Sequence, residues 1–368
     1  MAARALRGRA TVTTVLTDRF SAQLLVGPAP ADPVEVVGRL LAVQAQDPRG
    51  ARLALRARTA AGTTAADVDR ALSVDRSLVV SWLNRGTLHL VRAEDHPWLH
   101  ALTAPRLRIG NARQLAQEGV SADDADRAVG VIERALADDG PLTRSQLSER
   151  LDAAGVPVAG QAIVYLLVRA TIDGVILRGP VVGTEQAFAR VHDWLGPPPP
   201  VDHEVAVAEL CRRYLAGHAP ADERDLATWS GLALGTIRAG LRAVAPEVDD
   251  DGRLVLAGRS PGRRAVAPPP RLLGSFEPLL QGWRDRSWIV GDRPGVVTSN
   301  GIFRPIALVE GRAVATWTLP AGVVELRPFG PLSPRARTAL EAEALEVMRY
   351  LGRPVPPAPL RLVGDAEG

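Results

Sequence analysis

Two amides are the first candidates for chemistry. Residues 40–58 read LLAVQAQDPRGARLALRAR, and in this stretch Gln44 and Gln46 flank a single alanine. Two readings of the pair are open. If the helix carrying Val37, Leu40 and Leu41 continues, Gln44 joins its apolar stripe, serving backbone groups, and Gln46 points elsewhere. Pro48, however, disfavours helical geometry at Asp47. If the helix ends here, an extended backbone projects Gln44 and Gln46 from the same side.

The residues that follow are basic. Arg49, Arg52 and Arg56 repeat at helical spacing on one face, a row suited to phosphates. Arg85 in WLNRGTLHLV and the pair Arg284 and Arg286 in GWRDR extend the set of candidate DNA contacts. Asp47 and His89 are candidate supporting residues. His96 and His100 stand four apart, but Pro97 lies between them and no third ligand is near, so no metal site is expected. There is no phosphate-binding glycine loop, dinucleotide fingerprint, nucleophile elbow or zinc-protease motif, and no cofactor is expected.

The chain has no lysine at all, and its single cysteine is Cys211. Lysine Schiff bases are therefore excluded, as is an intramolecular disulfide framework.

The elements that must position these residues follow one repeated local grammar. In residues 121–191, Ser121 caps a helix with the stripe Ala125, Ala128, Val129, Ile132 and Leu136. Thr143 caps a second helix, with Leu147 and Leu151 inward and Gly155 as its stop. A third helix buries Ile163, Leu166, Leu167 and Ala170, and an alternating stretch with turn glycines follows as a β-hairpin. Three short helices and a hairpin make a winged helix. Residues 202–257 repeat the order, and residues 32–91 carry a looser version, with Asp32 capping, Pro33 at the first helical position and a hairpin turning at Asn84–Gly86.

Proline-rich joints, GPPPP at 196–200 and SPGRRAVAPPP at 260–270, separate the segments. Beyond them RSWIV, GVVTS, IALVEGRAVATW and GVVEL read as short strands of a small barrel or curled sheet. A capped helix packs on it through Leu340, Ala344, Val347, Met348 and Leu351. The expected class is α+β: three tandem winged-helix motifs plus a C-terminal small β-barrel with a packing helix. The expected boundaries are 1–115 for the first winged helix with the amide motif, 116–198 for the second, 199–268 for the third and 269–368 for the barrel.

At 368 residues, 46% hydrophobic and 23% charged, the chain is expected to fold as several units. No apolar run is long enough to span a bilayer, and the N-terminal stretch lacks the apolar centre of a signal peptide. A cytoplasmic, nucleoid-associated monomer is the expectation.

The stretches LLAVQAQDPRGARLALRAR, WLNRGTLHLV, GPLTRSQLSERL, DLATWSGL, LLGSFEPLLQGWRDR and GIFRPIALVEGRAVATW occur in this order along nearly the whole chain. In these the sequence resembles the AlkZ/YcaQ-like family of bacterial DNA glycosylases. The resemblance implies three tandem winged helices around a concave basic surface, a C-terminal barrel, double-stranded DNA as partner and excision of alkylated purines. The family's glutamine–apolar–glutamine signature maps onto Gln44, Ala45 and Gln46, the AlkZ form of the motif. Glu277 departs from the aspartate found in many relatives. The family also probes the minor groove with a barrel hairpin, for which DRSWIVGDRPGVVTSNGIFRP is the equivalent stretch. The implied function is an alkylpurine glycosylase acting on N7-alkylguanine or N3-alkyladenine, including bulky adducts and interstrand crosslinks, and the absence of lysine makes a monofunctional enzyme the expectation. The rival reading is a winged-helix transcriptional regulator responding to a genotoxic metabolite; such proteins are usually two-fold symmetric, reading paired half-sites.

Overall fold

The computed structural model describes residues 14–182, 185–258 and 265–364. These form two units. One comprises residues 14–68, 208–229 and 233–364, and the other residues 69–207 and 230–232. The crossing points at 68 and 207 fall inside the helices Ala65–Ser73 and His203–His218. No helix among the described residues is long and apolar enough to cross a membrane.

In the second unit, strands run in the order Thr87–Arg92, Leu78–Leu83, Ile176–Val182, Glu185–Arg190, all antiparallel. The first hairpin turns where expected, with Asn84 at φ 48° and Gly86 at φ 82°, left-handed positions that a tight turn needs. Its register sets Ser81 opposite His89. Helices Ala122–Asp139, Arg144–Ala153 and Ala162–Ile172 precede the second hairpin. The Ser121 hydroxyl accepts the Asp124 N–H at 3.1 Å. Thr143 and Gln146 form a reciprocal capping box. The predicted stripes meet in one core, with Ile132, Leu147, Leu151 and Leu166 sealed around Trp82 and Phe188; Val129 is only partly buried against it. The 22-residue helix His96–Gln117 is not apparent from the pattern of apolar residues. Pro105 inside it is the kind of residue that usually ends a helix.

In the first unit, Asp32 caps helix Pro33–Leu40 by accepting the Val34 N–H at 2.8 Å. A five-stranded sheet runs Leu360–Leu362, Val324–Pro328, Arg312–Thr318, Ile306–Val309, Arg271–Leu273, antiparallel except for the parallel first pair. Helix Pro334–Tyr350 buries Leu340, Ala344, Val347 and Met348 against this sheet, while Leu351 packs at the margin. Residues 287–290, expected as a strand, form a short helix instead. The Asp285 carboxylate accepts the Ser287 N–H at 2.9 Å and starts the turn, and Gly291 at φ 56° ends it. A four-residue apolar run does not distinguish the two states by period. The stretch GVVTS likewise contributes a single bridge, Val297 to Phe303, rather than a strand.

Candidate active site

The helix before the amides stops earlier than Pro48 requires. It ends at Leu40, and Leu41 takes φ 67° while its N–H still reaches Val37 O at 2.8 Å. Leu40 and Leu41 are fully buried, so packing holds this left-handed leucine in place. Val43–Gln44 is then a two-residue strand, the chain bends at Gln46 and Asp47, and Asp47 itself has extended dihedrals, φ −108° and ψ 110°. Pro48 begins the next helix rather than ending the last one.

This settles the conformation of the pair. Val43 and Ala45 are buried, and Gln44 is 8% exposed, with no hydrogen bond to its amide among the described residues. Gln46 is exposed. Asp47 is committed to the backbone: its carboxylate accepts the Arg49 N–H at 2.9 Å as the cap of helix Pro48–Arg56.

That helix is seated by backbone contact. A Cβ on Gly50 would meet Ser275 O at 2.5 Å, and one on Gly274 would meet Gly50 Cα at 2.9 Å. Of the expected phosphate row, Arg49 is exposed and Arg52 half-buried, donating to Pro48 O at 2.9 Å. Arg56 is a correction. It is 9% exposed and donates to Glu343 at 2.7 Å and to Leu272 O at 3.1 Å, so it anchors the helix to strand Arg271–Leu273 instead of meeting phosphate.

Two residues further on, a charge that sequence reasoning passed over is fully buried. Arg58 donates to Glu277, to Gln23 O at 2.8 Å, to Gln23 Oε1 at 3.1 Å and to Ala54 O at 2.8 Å. Glu277 also caps the short helix Pro278–Gln281 through the Leu279 N–H, which gives this residue a structural role. Gln23 in turn donates to Gly217 O at 2.7 Å. Nearby, Arg284 is exposed, whereas Arg286 is half-buried over Phe303 and donates to Leu280 O at 3.1 Å.

In the second unit, Arg85 is exposed at the turn of the first hairpin. His89 is 3% exposed, its Nδ1 lies 2.8 Å from Thr87 O, and burial, with Arg85 adding to it, pushes its pKa down to about 3. It is a neutral imidazole at pH 7 and not a proton donor of the imidazolium type. His96 is also neutral and buried, with neither ring nitrogen bonded; His100 binds Thr171 O at 2.9 Å. Both histidines line a cleft of about 360 Å³, together with Pro197, Pro198 and Pro199. Among the described residues no three His, Cys, Asp or Glu side chains converge as a metal site.

An unbonded amide on a largely buried glutamine in a short strand, followed by a capped helix that begins with an exposed arginine, suits an enzyme that orders water beside a nucleic-acid backbone. Comparison with known proteins makes this specific: the family model described as DNA glycosylase AlkZ-like matches residues 37–350, so the chain is a DNA glycosylase. It belongs to the AlkZ-like family. The interstrand DNA cross-link repair glycosylase of Streptomyces sahachiroi is 30% identical over 360 residues, covering 89% of this chain and 93% of that protein. The solved structure of the Streptomyces sahachiroi DNA glycosylase AlkZ matches with a TM-score of 0.77 at 26% identity, over 95% of this chain and 99% of that one.

Proposed function

We propose that the protein is a monofunctional glycosylase that hydrolyses the N-glycosidic bond of cationic alkylated purines in double-stranded DNA. Its substrates include bulky adducts and interstrand crosslinks of the kind named for the Streptomyces relative. The observation that carries this reading is the amide of Gln44, 8% exposed yet unbonded among the described residues, two residues before the exposed Gln46.

An ordinary purine is a poor leaving group and needs strong protonation. A purine alkylated at N7 or N3 is already cationic, so its bond to the sugar is labile. What remains is to place a water and to turn negative dipoles toward an oxocarbenium-like sugar. The carbonyl oxygens of Gln44 and Gln46 can do both. They cannot act as strong bases, which leaves undamaged purines alone. Asp47 is spent on the helix cap, and His89 is neutral. Without lysine in the chain, no lysine Schiff base forms with the abasic sugar, and strand cleavage by that route is not expected.

In this reading the three helix–hairpin segments act as winged helices at 1–115, 116–198 and 199–268, with the C-terminal sheet of 269–368 as the small barrel. Arg49, Arg52, Arg85 and Arg284 contact DNA. The turn Thr298–Ile302, closed by Thr298 N–H to Ile302 O at 3.0 Å, is the groove-probing tip, presenting Ser299, Asn300 and Ile302. The test is base release from duplex containing N7-methylguanine and, in parallel, from a crosslinked duplex. Release above spontaneous depurination, lost in Gln44→Ala and Gln46→Ala, supports the reading. No excess on either substrate overturns it.

A further inference from the structure

Arg178 stands on strand Ile176–Val182, on the side of the sheet that faces the helical core. Its guanidinium lies 4.3 Å from the ring centre of Phe188 and 5.2 Å from that of Trp82. Both rings belong to the sealed core, with Phe188 unexposed and Trp82 8% exposed. An arginine in such a place is normally paired with a carboxylate. Among the described residues the Arg178 guanidinium has no ion pair and no hydrogen bond, and its buried Nε is unsatisfied.

The surroundings add positive charge. Leu142 and Phe188 exchange backbone hydrogen bonds at 3.1 and 2.7 Å, which brings the start of helix Arg144–Ala153 beside Arg178. A helix start favours acids, because its N–H groups point outward. This one has no acid in its first turn and begins with the exposed Arg144, itself without an ion pair among the described residues. Burial, with Arg144 next, pulls the Arg178 pKa down to about 10, and Glu185 opposes that pull only in part. Glu185 is the nearby acid, and it accepts a hydrogen bond from Ser145 at 3.3 Å. Two arginines and a helix start converge here beside a single acid, Glu185, and neither arginine forms an ion pair with it among the described residues.

We infer that Arg178, with Arg144 beside it, grips a phosphodiester of the DNA backbone, the aromatic pair beneath holding the guanidinium in place. The inference rests on the reading of double-stranded DNA as substrate. A phosphate would take hydrogen bonds from the outer guanidinium nitrogens and from the first turn of the helix, and would offset both charges.

The test is the salt dependence of duplex affinity for the wild type and for Arg178→Met, Arg178→Lys and Arg144→Gln. Methionine keeps apolar cover over Trp82 and Phe188, so the core stays closed. Arg178→Met and Arg144→Gln are each expected to lower the slope of log affinity against log salt by about one. The loss should be equal on damaged and undamaged duplex, and Arg178→Lys should retain most of the slope. Arg144 is exposed, so its variant reports even if Arg178→Met folds poorly. A lowered Tm in Arg178→Met with all slopes unchanged would overturn the inference, leaving Arg178 as cover for two rings. A wild type with no salt-dependent duplex binding would instead overturn the DNA reading itself, and the inference with it.

Discussion

The guanidinium of Arg58 and the carboxylate of Glu277 are sealed against each other with no exposure of either side chain, 219 residues apart in the chain. One oxygen of Glu277 accepts from both Arg58 and the Leu279 N–H, while the other has no partner. Arg58 lies just beyond the helix that follows the amide pair, so the pair ties that helix to the segment after strand Arg271–Leu273.

Breaking this pair from one side should be severe. Glu277→Gln or Arg58→Met leaves a buried group uncompensated and is expected to cost about 3–5 kcal/mol, whereas replacing both by apolar residues of similar volume should recover most of it. Thermal unfolding of the three variants checks this. A double variant no better than the singles would show that the site needs charge and not merely filling.

Asp47 separates a cap from a base. Asp47→Asn preserves the cap and should leave base release near the wild-type rate, while Asp47→Ala should lose about 1 kcal/mol of stability. Loss of release in Asp47→Asn, with unfolding unchanged, would make the carboxylate itself part of the chemistry.

The amides should behave differently. Gln44→Ala and Gln46→Ala are each expected to slow single-turnover release by about 10²-fold, the scale of a misplaced reactant. The exposed Gln46 should do so with little change in Tm. Near-normal rates in both would remove the amides from the mechanism.

Arg49 and Arg56, the two ends of the expected row, should part company. Arg49→Ala should lower the salt slope of duplex binding by about one. Arg56→Ala should leave the slope alone and destabilise the fold, because Glu343 loses one of the two guanidinium groups it accepts from and keeps only Arg271.

His89, His96 and His218 are each pushed down to about 3 by burial. Unfolding raises each toward its ordinary value near 6.5, so between about pH 6.5 and 3 the unfolded chain binds more protons. Stability contributed by the neutral histidines is complete above pH 6.5 and is lost as pH falls through that window. Urea midpoints at pH 7 and pH 5 should show the drop, and His89→Gln should reduce it. The rate of base release, in contrast, should show no step assignable to His89 across that range.

What could be read from sequence was local. Ser121 and Thr143 announce their helices because a cap bonds its own neighbours, and the stripe from Ala125 to Leu136 needs only the helical period. The inward turn of Arg56 depends on Glu343, 287 residues away, and no spacing rule reaches that far. Leu41 hid the helix end for another reason: a left-handed leucine is held by its surroundings, and its own type argues against it. Gln44 and Gln46 were visible as a pair only once the break between helices was considered, and Pro48 pointed to that break while marking its far side.

Gly50 carries a consequence for how this enzyme can vary. Its α-carbon is pressed against the 274–275 backbone, so any side chain there must lever helix Pro48–Arg56 away and drag Gln46 with it. In a saturation scan, position 50 should therefore score as intolerant as the glutamines themselves, even to alanine. A residue with no functional group would then look catalytic, and a survey ranking positions by lost activity would credit chemistry to a hydrogen atom.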